Sequence, residues 1–247
     1  MVTATFRFYE ELNGFLPPER RKRSFTCRCA RAATTKHMIE ALGVPHTEVE
    51  LVLVNGESVG FDRQIREGDR VAVYPRYETL DITPLLRVRA HALRVTRFVA
   101  DAHLGGLARL LRMAGFDTLY DNNFRDSEIA AISAREGRIV LTRDRELLKR
   151  REITHGCYVH ALKSVQQLRE IFERLDLGRS SRPFSLCLHC NAPLHPIEKT
   201  LVQQRVAPAV WNRYECFTLC EICGRVFWKG SHWQCMRALL DGVLPQP

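Results

Sequence analysis

The sequence contains no apolar run long enough to cross a membrane, so a membrane-spanning helix is not expected. Its first twelve residues, MVTATFRFYEEL, already carry three charges and lack the apolar core of a secretory signal peptide. The sequence also lacks G-x-x-x-x-G-K-[ST] and G-x-G-x-x-G motifs after its predicted strands, which argues against a nucleotide-binding α/β domain. These absences predict a cytoplasmic protein without a glycine-rich phosphate loop.

Basic residues, by contrast, are in excess. The 247 residues include 37 Lys and Arg against 28 Asp and Glu, which gives a formal net charge of +9. Most of the excess falls in the middle of the chain, where residues 91–182 hold 17 basic and 12 acidic side chains. This balance favours anionic partners, with nucleic acid first and an acidic membrane surface second. A soluble protein that is merely basic would show the same charge.

The first 80 residues have the pattern of a small sheet with one helix. Residues 3–9 alternate apolar and polar side chains, as a half-buried strand does, and SFTCRC indicates a second strand. TTKHMIEALGV then predicts a helix with Thr34 or Thr35 as its cap. Two further strands lie in VELVLVNGESV and IREGDRVAVYPRY. The order β, β, α, β, β predicts a β-grasp domain over residues 1–80.

Residues 94–178 alternate strand and helix, from RVTRFVAD to SVQQLREIFERLDLG. Strict alternation predicts a parallel sheet with right-handed crossovers. The chain as a whole is therefore predicted to be α/β, with a β-grasp domain, a parallel-sheet domain and a small domain over residues 183–247. In the common doubly wound strand order 2-1-3-4, the first and third strands are neighbours.

Acidic residues recur where the strands of the middle domain end. Asp101 ends the first strand, Asp121 the second and Asp144 the third, and Asp126 opens the helix after the second. Because the carboxyl ends of parallel strands share one side of a sheet, these acids are expected to converge, with Asp101 beside Asp144. Converging carboxylates repel unless a cation neutralises them, and oxygen ligands favour Mg²⁺ or Mn²⁺. The alternative is that Asp126 and Asp144 cap helices, a role in which Asp is favoured.

A collar of basic residues surrounds Asp144 in RIVLTRDRELLKRR, residues 138–151. Arg143, Arg145 and Lys149 are candidates for holding the phosphates of a polyanion. A metal held by carboxylates beside such cations suits phosphodiester hydrolysis, since the metal orients water and stabilises the developing charge. For part of this run, the alternative is an ordinary solvated helix face.

The sequence has nine cysteines, and four of them form two C-x-x-C pairs. These four are Cys187, Cys190, Cys220 and Cys223. In a chain without a signal peptide, paired C-x-x-C motifs indicate a metal site before disulfides. They predict a structural Zn²⁺ that staples residues 183–247, a segment with little core of its own.

Two tryptophans in the same segment, Trp228 and Trp233, lie close in sequence to Lys229. In that position they could stack on RNA bases. The core of the small domain is the stronger expectation for Trp228.

Several segments resemble one known family. The segments are FVADAHLGGLARLLRMAGFDTLYD, DSEIAAISAREGRIVLTRDREL, CLHCNAPL and CEICGRVFWKGSHWQCM, and the family is the Mut-seven C-terminal ribonucleases, PIN-like nucleases that end in a zinc ribbon. The resemblance covers nearly the whole chain and implies metal-dependent cleavage of RNA. It places the catalytic acids on Asp101, Asp126 and Asp144, with Glu128 competing with Asp126 for the middle position. Asp121 is added from geometry alone.

The N-terminal segments VNGESV and REGDRVAVYP resemble sulfur-carrier and ubiquitin-like proteins, and a ubiquitin-like domain is found fused to the same family. Sulfur carriers end in Gly-Gly, whereas here the last strand runs on as PRYETLDITPLLRVRA. A binding or scaffolding role is therefore expected, and a protein partner for this domain stays open.

Two function classes remain. The first is a metal-dependent ribonuclease with RNA as its partner and no membrane partner. The second is a non-catalytic RNA-binding or adaptor protein whose acids are helix caps.

Overall fold

The structure, a computed structural model, describes residues 1–75, 87–88 and 96–243. The segment PRYETLDITPLLRVRA, which continues the last β-grasp strand in the sequence, covers residues 75–90 and lies almost entirely outside these ranges. Within them, no helix combines the length and the apolar character that crossing a bilayer requires. The cytoplasmic location stays a prediction.

The described residues fall into two compact units, each drawn from two stretches of the chain. The first unit is drawn from Met1–Val95 and Phe124–Tyr158, and the second from Thr96–Asn123 and Val159–Pro247. The three consecutive domains inferred from the sequence stay a prediction.

The N-terminal part of the first unit contains five strands and one α-helix among its described residues. They are β1 (Val2–Phe8), β2 (Phe25–Cys29), α1 (Thr35–Ala41), β3 (Leu51–Val54), β4 (Glu57–Ser58) and β5 (Arg70–Tyr74). The strand order is β2-β1-β5-β3-β4. Strand β1 is antiparallel to β2 and parallel to β5, and β3 is antiparallel to β5. With the helix between β2 and β3, this confirms the predicted β-grasp fold.

The core of this domain follows from the alternation in β1. Phe6 and Phe8 are almost fully buried, whereas Arg7 between them is exposed. Ile39 of α1 is buried in the same cluster. The hydroxyl of Thr34 accepts an amide hydrogen bond in the first turn of α1, which makes Thr34, of the two candidates, the cap.

The middle of the chain contains four strands that alternate with helices. The elements are β6 (Phe98–Ala100), α2 (Gly105–Met113), β7 (Thr118–Tyr120), α3 (Asp126–Glu136), β8 (Ile139–Thr142), α4 (Arg145–Leu148), β9 (Gly156–Tyr158) and α5 (Ser164–Arg174). The strand order is β7-β6-β8-β9, and the pairs β6–β7 and β8–β9 are parallel. All four residues of β8 are buried, as is usual in a parallel sheet covered by helices. The prediction of a parallel sheet is confirmed, in the order 2-1-3-4.

Within the first unit, one turn of the β-grasp domain packs against β9. His46 lies in this turn, with Nδ1 2.7 Å from Oε1 of Glu40 and Nε2 2.9 Å from the carbonyl oxygen of Ile153. The carboxylate of Glu48 accepts a hydrogen bond from the backbone amide of Tyr158. His46 and Glu48 are both buried, so these bonds satisfy polar groups that water does not reach.

The C-terminal part of the second unit is a small antiparallel sheet with two helices. Its elements are β10 (His195–Ile197), α6 (Pro208–Arg213), β11 (Phe217–Leu219), β12 (Val226–Trp228) and α7 (Ser231–Asp241). The strand order is β10-β11-β12. Among the described residues after 183, the buried apolar side chains are Cys187, Val202, Phe217, Cys220 and Leu240. So small a core, with two cysteines in it, needs additional cross-linking to be stable.

Candidate functional site

Asp101 is the first of the predicted catalytic acids. It follows β6, is 8% exposed, and caps a 3₁₀ turn by accepting the amide of Ala102 at 2.6 Å. The hydroxyl of Tyr120 donates to the carbonyl of Ala102 at 3.0 Å, which holds this turn on β7. Because Ala100 is paired with Tyr120 in the parallel register, Asp101 and Asp121 follow paired residues.

The three acids after β7 differ in what holds them. Asp121 is exposed and accepts the backbone amide of Asn123 at 2.8 Å. Asp126 is exposed and begins α3. Glu128 accepts the amide of Arg125 at 2.8 Å and so completes the cap of α3. The Glu128 side chain therefore stabilises the start of α3.

Asp144 lies between β8 and α4 and is exposed. Its carboxylate accepts the amide of Glu146 at 2.8 Å, and its own amide donates to the hydroxyl of Thr142 at 2.9 Å. Thr142 is fully buried. The bond to Thr142 ties Asp144 to the end of β8, so the sheet and the helix cap together position this carboxylate.

The candidate phosphate-binding cations have unequal surroundings. Arg143 is exposed. Arg145 donates to the carbonyl of Phe15 at 3.4 Å, and its guanidinium lies over the rings of Phe15 and Tyr158 at 5.1 and 5.5 Å. Lys149 pairs with Glu146 at 2.6 Å. Arg143 is therefore the cation best placed to take a new anionic partner, while Arg145 is held against the β-grasp domain.

The four predicted cysteine ligands do come together. Their sulfur atoms lie within 4.8 Å of one another. Cys187 Sγ is 3.6 Å from Cys223 Sγ, and Cys190 Sγ is 3.2 Å from Cys220 Sγ. Sulfurs bound at about 2.3 Å to a tetrahedral Zn²⁺ would lie about 3.8 Å apart. The group could therefore hold one metal ion after a small expansion.

Each C-x-x-C pair sits on a turn with the same backbone hydrogen bonds. The amide of Asn191 donates to the carbonyl of Cys187 at 3.0 Å, and the amide of Gly224 donates to that of Cys220 at 2.8 Å. Asn191 and Gly224 both have a positive φ, 64° and 68°. Gly adopts this left-handed conformation without strain, and Asn is among the few other residues that do so readily. The residue after each pair is a sequence signal that cysteine spacing alone does not show.

The four thiols are not equivalent. The backbone amide of Arg225 lowers the pKa of Cys223 to about 6. Burial raises the pKa of Cys190 to about 12, and burial also raises the pKa of Cys187. The Cys223 thiolate thus forms readily, whereas ionisation of Cys187 and Cys190 is favoured only beside a compensating cation. A divalent ion coordinated by all four sulfurs supplies that charge.

Arg112 in α2 is a residue that sequence reasoning missed. It is 6% exposed, and its Nη1 donates to the carbonyls of Leu188 at 3.2 Å and His189 at 2.8 Å, the two residues inside the first C-x-x-C pair. Its Nε donates to the carbonyl of Thr118 at 2.9 Å. Burial lowers the pKa of the guanidinium from its ordinary value, and the nearby thiols of the pair oppose that shift. Arg112 thereby joins the cysteine site to α2 and β7.

Asn191 adds a second link between the cysteine site and β7. Its side-chain oxygen accepts the backbone amide of Thr118 at 2.9 Å. The same residue provides the left-handed turn of the first C-x-x-C pair, so one side chain both shapes the turn and fixes it to β7.

Comparisons with known proteins bear on both parts of the chain. The model of the Mut7-C RNAse domain matches residues 96–240, more than half of the chain, and the model of the Mut7-C ubiquitin domain matches residues 1–81. A search of curated proteins gave no match.

Among solved structures, the chain is similar to the crystal structure of H. volcanii small archaeal modifier protein 1, with 18% identity, 31% of this chain and 100% of that chain covered, and a TM-score of 0.25. It is also similar to a crystal structure of SAMP1 from Haloferax volcanii, with 17% identity, 32% and 99% coverage, and a TM-score of 0.26. Likenesses with TM-scores this low carry no argument about function.

Replacing one cysteine of the cluster should release its metal ion. We expect Cys220→Ser to lower the metal content from about one ion per chain to nearly none, because tetrahedral sites need all four ligands. Metal analysis and limited proteolysis of residues 183–247 provide the measurement. Cys235→Ser, which removes an exposed cysteine outside the cluster, is the matched control and should keep the ion. Full metal content in Cys220→Ser would contradict the assignment.

Replacing Arg112 should destabilise the second unit. Arg112→Met keeps much of the side-chain volume but strips hydrogen bonds from three carbonyls, so we expect a loss of about 2–4 kcal/mol in the free energy of unfolding. The control is Arg109→Met, which changes an exposed arginine of the same helix and should alter stability by less than about 0.5 kcal/mol. Equal effects of the two changes in urea unfolding would refute the role given to Arg112.

Proposed function

Because the chain belongs to the Mut7-C RNAse domain family and carries the Mut7-C ubiquitin domain before it, we propose that it is a metal-dependent ribonuclease that hydrolyses RNA phosphodiester bonds. The match over residues 96–240 is the observation that carries this proposal, because it includes every candidate catalytic acid and the four clustered cysteines. The basic excess in the middle of the chain fits an RNA substrate.

We place the reaction at the carboxyl ends of β6 and β8. Asp101 and Asp144 are the residues that follow these two strands. Both acids would bind Mg²⁺ or Mn²⁺ through carboxylate oxygens. Such an ion, when bound, lowers the pKa of water and neutralises charge on the phosphate.

Asp126 is our choice for the third ligand. It is exposed at the start of α3, whereas Glu128 would have to give up its hydrogen bond to the amide of Arg125 in order to bind an ion. Asp121 is already engaged in a turn with Asn123, and we keep it as a secondary candidate with Glu128.

Arg143, Arg145 and Lys149 would hold the phosphates of the RNA. Arg143 would act directly, from the position next to Asp144. Arg145 would act from a fixed position, because Phe15 and Tyr158 restrain its guanidinium. Through this contact the β-grasp domain would act as a scaffold for the basic residues around Asp144. A protein partner of the β-grasp domain remains a further proposal.

For the cysteine cluster we propose a structural Zn²⁺. The four-sulfur donor set and the two matching turns suit this ion. A site closed by four protein ligands has no open position for a substrate, so this ion would stabilise the fold and take no part in cleavage.

One observation favours the second candidate function, a non-catalytic RNA-binding or adaptor protein. Asp101 and Asp144 each accept a backbone amide at the start of a helical turn, as simple capping residues do. Asn caps as well as Asp, so replacing the acids separates the two functions.

If the two acids share a metal, Asp101→Asn and Asp144→Asn should each reduce manganese-dependent cleavage of short RNAs by more than about 100-fold, a larger loss than removing a mere partner of a metal ligand causes. The double variant should be no worse than the single ones, because either change empties the same site. Cleavage rates and thermal unfolding are measured side by side.

Glu152→Gln is the matched control for this experiment. It removes an exposed carboxylate eight residues after Asp144 that makes none of the contacts described for the proposed ligands and cations, and it should retain cleavage. Normal cleavage by both Asp→Asn variants, with unchanged stability, would support the adaptor function instead.

Arg143 allows a separate test of RNA binding. Arg143→Ala should weaken binding for all RNA sequences and flatten its salt dependence by about one unit of slope, because one phosphate contact is lost. Arg66→Ala removes an exposed arginine of the β-grasp domain and serves as the control. A salt dependence that is unchanged in Arg143→Ala, or equally flattened in both variants, would remove Arg143 from the binding surface.

A further inference from the structure

An apolar pocket lies in the C-terminal part of the second unit. Its volume is about 550 Å³, within the range of small-ligand sites. Its walls come from the segment before the first C-x-x-C pair, from α6, from β12 and from the start of α7. The catalytic acids proposed above are not among its lining residues.

Aromatic rings line this pocket and remain partly exposed. The five rings belong to Phe184, Tyr214, Phe227, Trp228 and Trp233. Phe184 and Trp233 lie with ring centroids 5.0 Å apart and planes tilted by 40°. The sequence predicts Trp228 as a core residue, whereas in the structure it is half-buried and lines the pocket. Large rings left accessible in a concave wall form a surface for a flat, apolar ligand.

The charged residues of the pocket have one sign of charge. Arg213 and Lys229 line it, and among its described lining residues none is Asp or Glu. Lys229 Nζ lies 5.4 Å from the ring centroid of Trp233, and the guanidinium of Arg213 lies 5.8 Å from that of Tyr214. A ligand that fits is therefore flat and apolar in its body and negatively charged at its rim.

We propose that this pocket binds one unstacked base of single-stranded RNA, with the adjacent phosphates beside Lys229 and Arg213. Rings and cations in this combination bind single strands without sequence preference, because every base has a π-face. The inference rests on the proposed function in taking RNA as the ligand. An apolar peptide would gain nothing from the cations, which is why RNA is the favoured occupant.

The same part of the chain contains a matched control. Trp211 also carries a lysine over its ring, with Lys199 Nζ 4.9 Å from the centroid, and its indole N–H donates to the carbonyl of Lys199 at 3.3 Å. Trp211 does not line the pocket. The pairs Trp233–Lys229 and Trp211–Lys199 are thus both lysine–tryptophan contacts, but the second lies outside the pocket and its lysine also pairs with Glu215 at 2.7 Å.

The test uses the full chain with Asp144→Asn, so that RNA stays intact, and two probes: hexa-adenylate RNA and an abasic hexamer with the same number of phosphates. Binding is followed by tryptophan fluorescence, since all three tryptophans lie after residue 210, and by anisotropy. Trp233→Leu should weaken hexa-adenylate binding by roughly 5- to 150-fold, the range for loss of one stacked base. It should leave abasic binding unchanged.

Trp211→Leu should change neither probe's affinity, and Trp233→Phe should restore most of the binding. Zinc content and thermal unfolding show whether each variant is folded. If Trp233→Leu does not fold, the loss of hexa-adenylate binding is compared between Lys229→Ala and Lys199→Ala instead. Equal affinities for the two hexamers, or equal losses in the Trp211 and Trp233 variants, would overturn the proposal.

The outcome is independent of the nuclease assignment. A wild-type chain that binds hexa-adenylate through Trp233 but never cleaves RNA would refute the ribonuclease and leave the pocket standing. A chain that cleaves RNA equally well with and without Trp233, and binds hexa-adenylate equally well, would refute the pocket alone.

Discussion

The buried guanidinium of Arg112 is the interaction on which the second unit depends. A buried charge is stable only where hydrogen-bond acceptors surround it. Here three backbone carbonyls accept hydrogen bonds from the guanidinium. Two of them belong to the first C-x-x-C turn, which keeps its shape through backbone bonds and its cysteine cluster. The cysteine cluster and the start of β7 are therefore parts of one polar arrangement, and loosening either leaves a buried cation with fewer hydrogen-bond acceptors.

Local patterns predicted much of this protein. The β-grasp order, a threonine cap of α1 at Thr34 or Thr35, and the parallel sheet follow from alternation, capping residues and element order, which act over a few neighbouring residues. The cysteine cluster follows from spacing. Arg112 could not be predicted, because an arginine in an amphipathic helix has no local mark of burial, and its partner Leu188 is 76 positions away. Arg145 is similar: the sequence shows its charge but not its contact with Phe15, 130 positions away.

The two roles considered for Asp144 are compatible in one side chain. A carboxylate has two oxygens and about four acceptor positions. The amide of Glu146 occupies one of them, and the bond from the backbone of Asp144 to Thr142 fixes the residue at the end of a buried strand. A cap of this kind restricts the rotation of the exposed carboxylate and uses only one of its acceptor positions. Capping can therefore orient a ligand for an incoming ion, as hydrogen bonds to metal-binding carboxylates generally do.

The turn around His46 has a further consequence for the fate of the chain in the cell. Strand β9 is last in the order β7-β6-β8-β9, and an outermost strand exposes amides that can pair with another molecule and begin aggregation. Glu48 accepts the amide of Tyr158, and His46 bonds to the carbonyl of Ile153 just before the strand. The β-grasp domain thus covers part of the edge of β9, which could otherwise pair with a strand of another molecule. We therefore expect a chain that lost this cover by proteolysis to self-associate more readily than the intact chain.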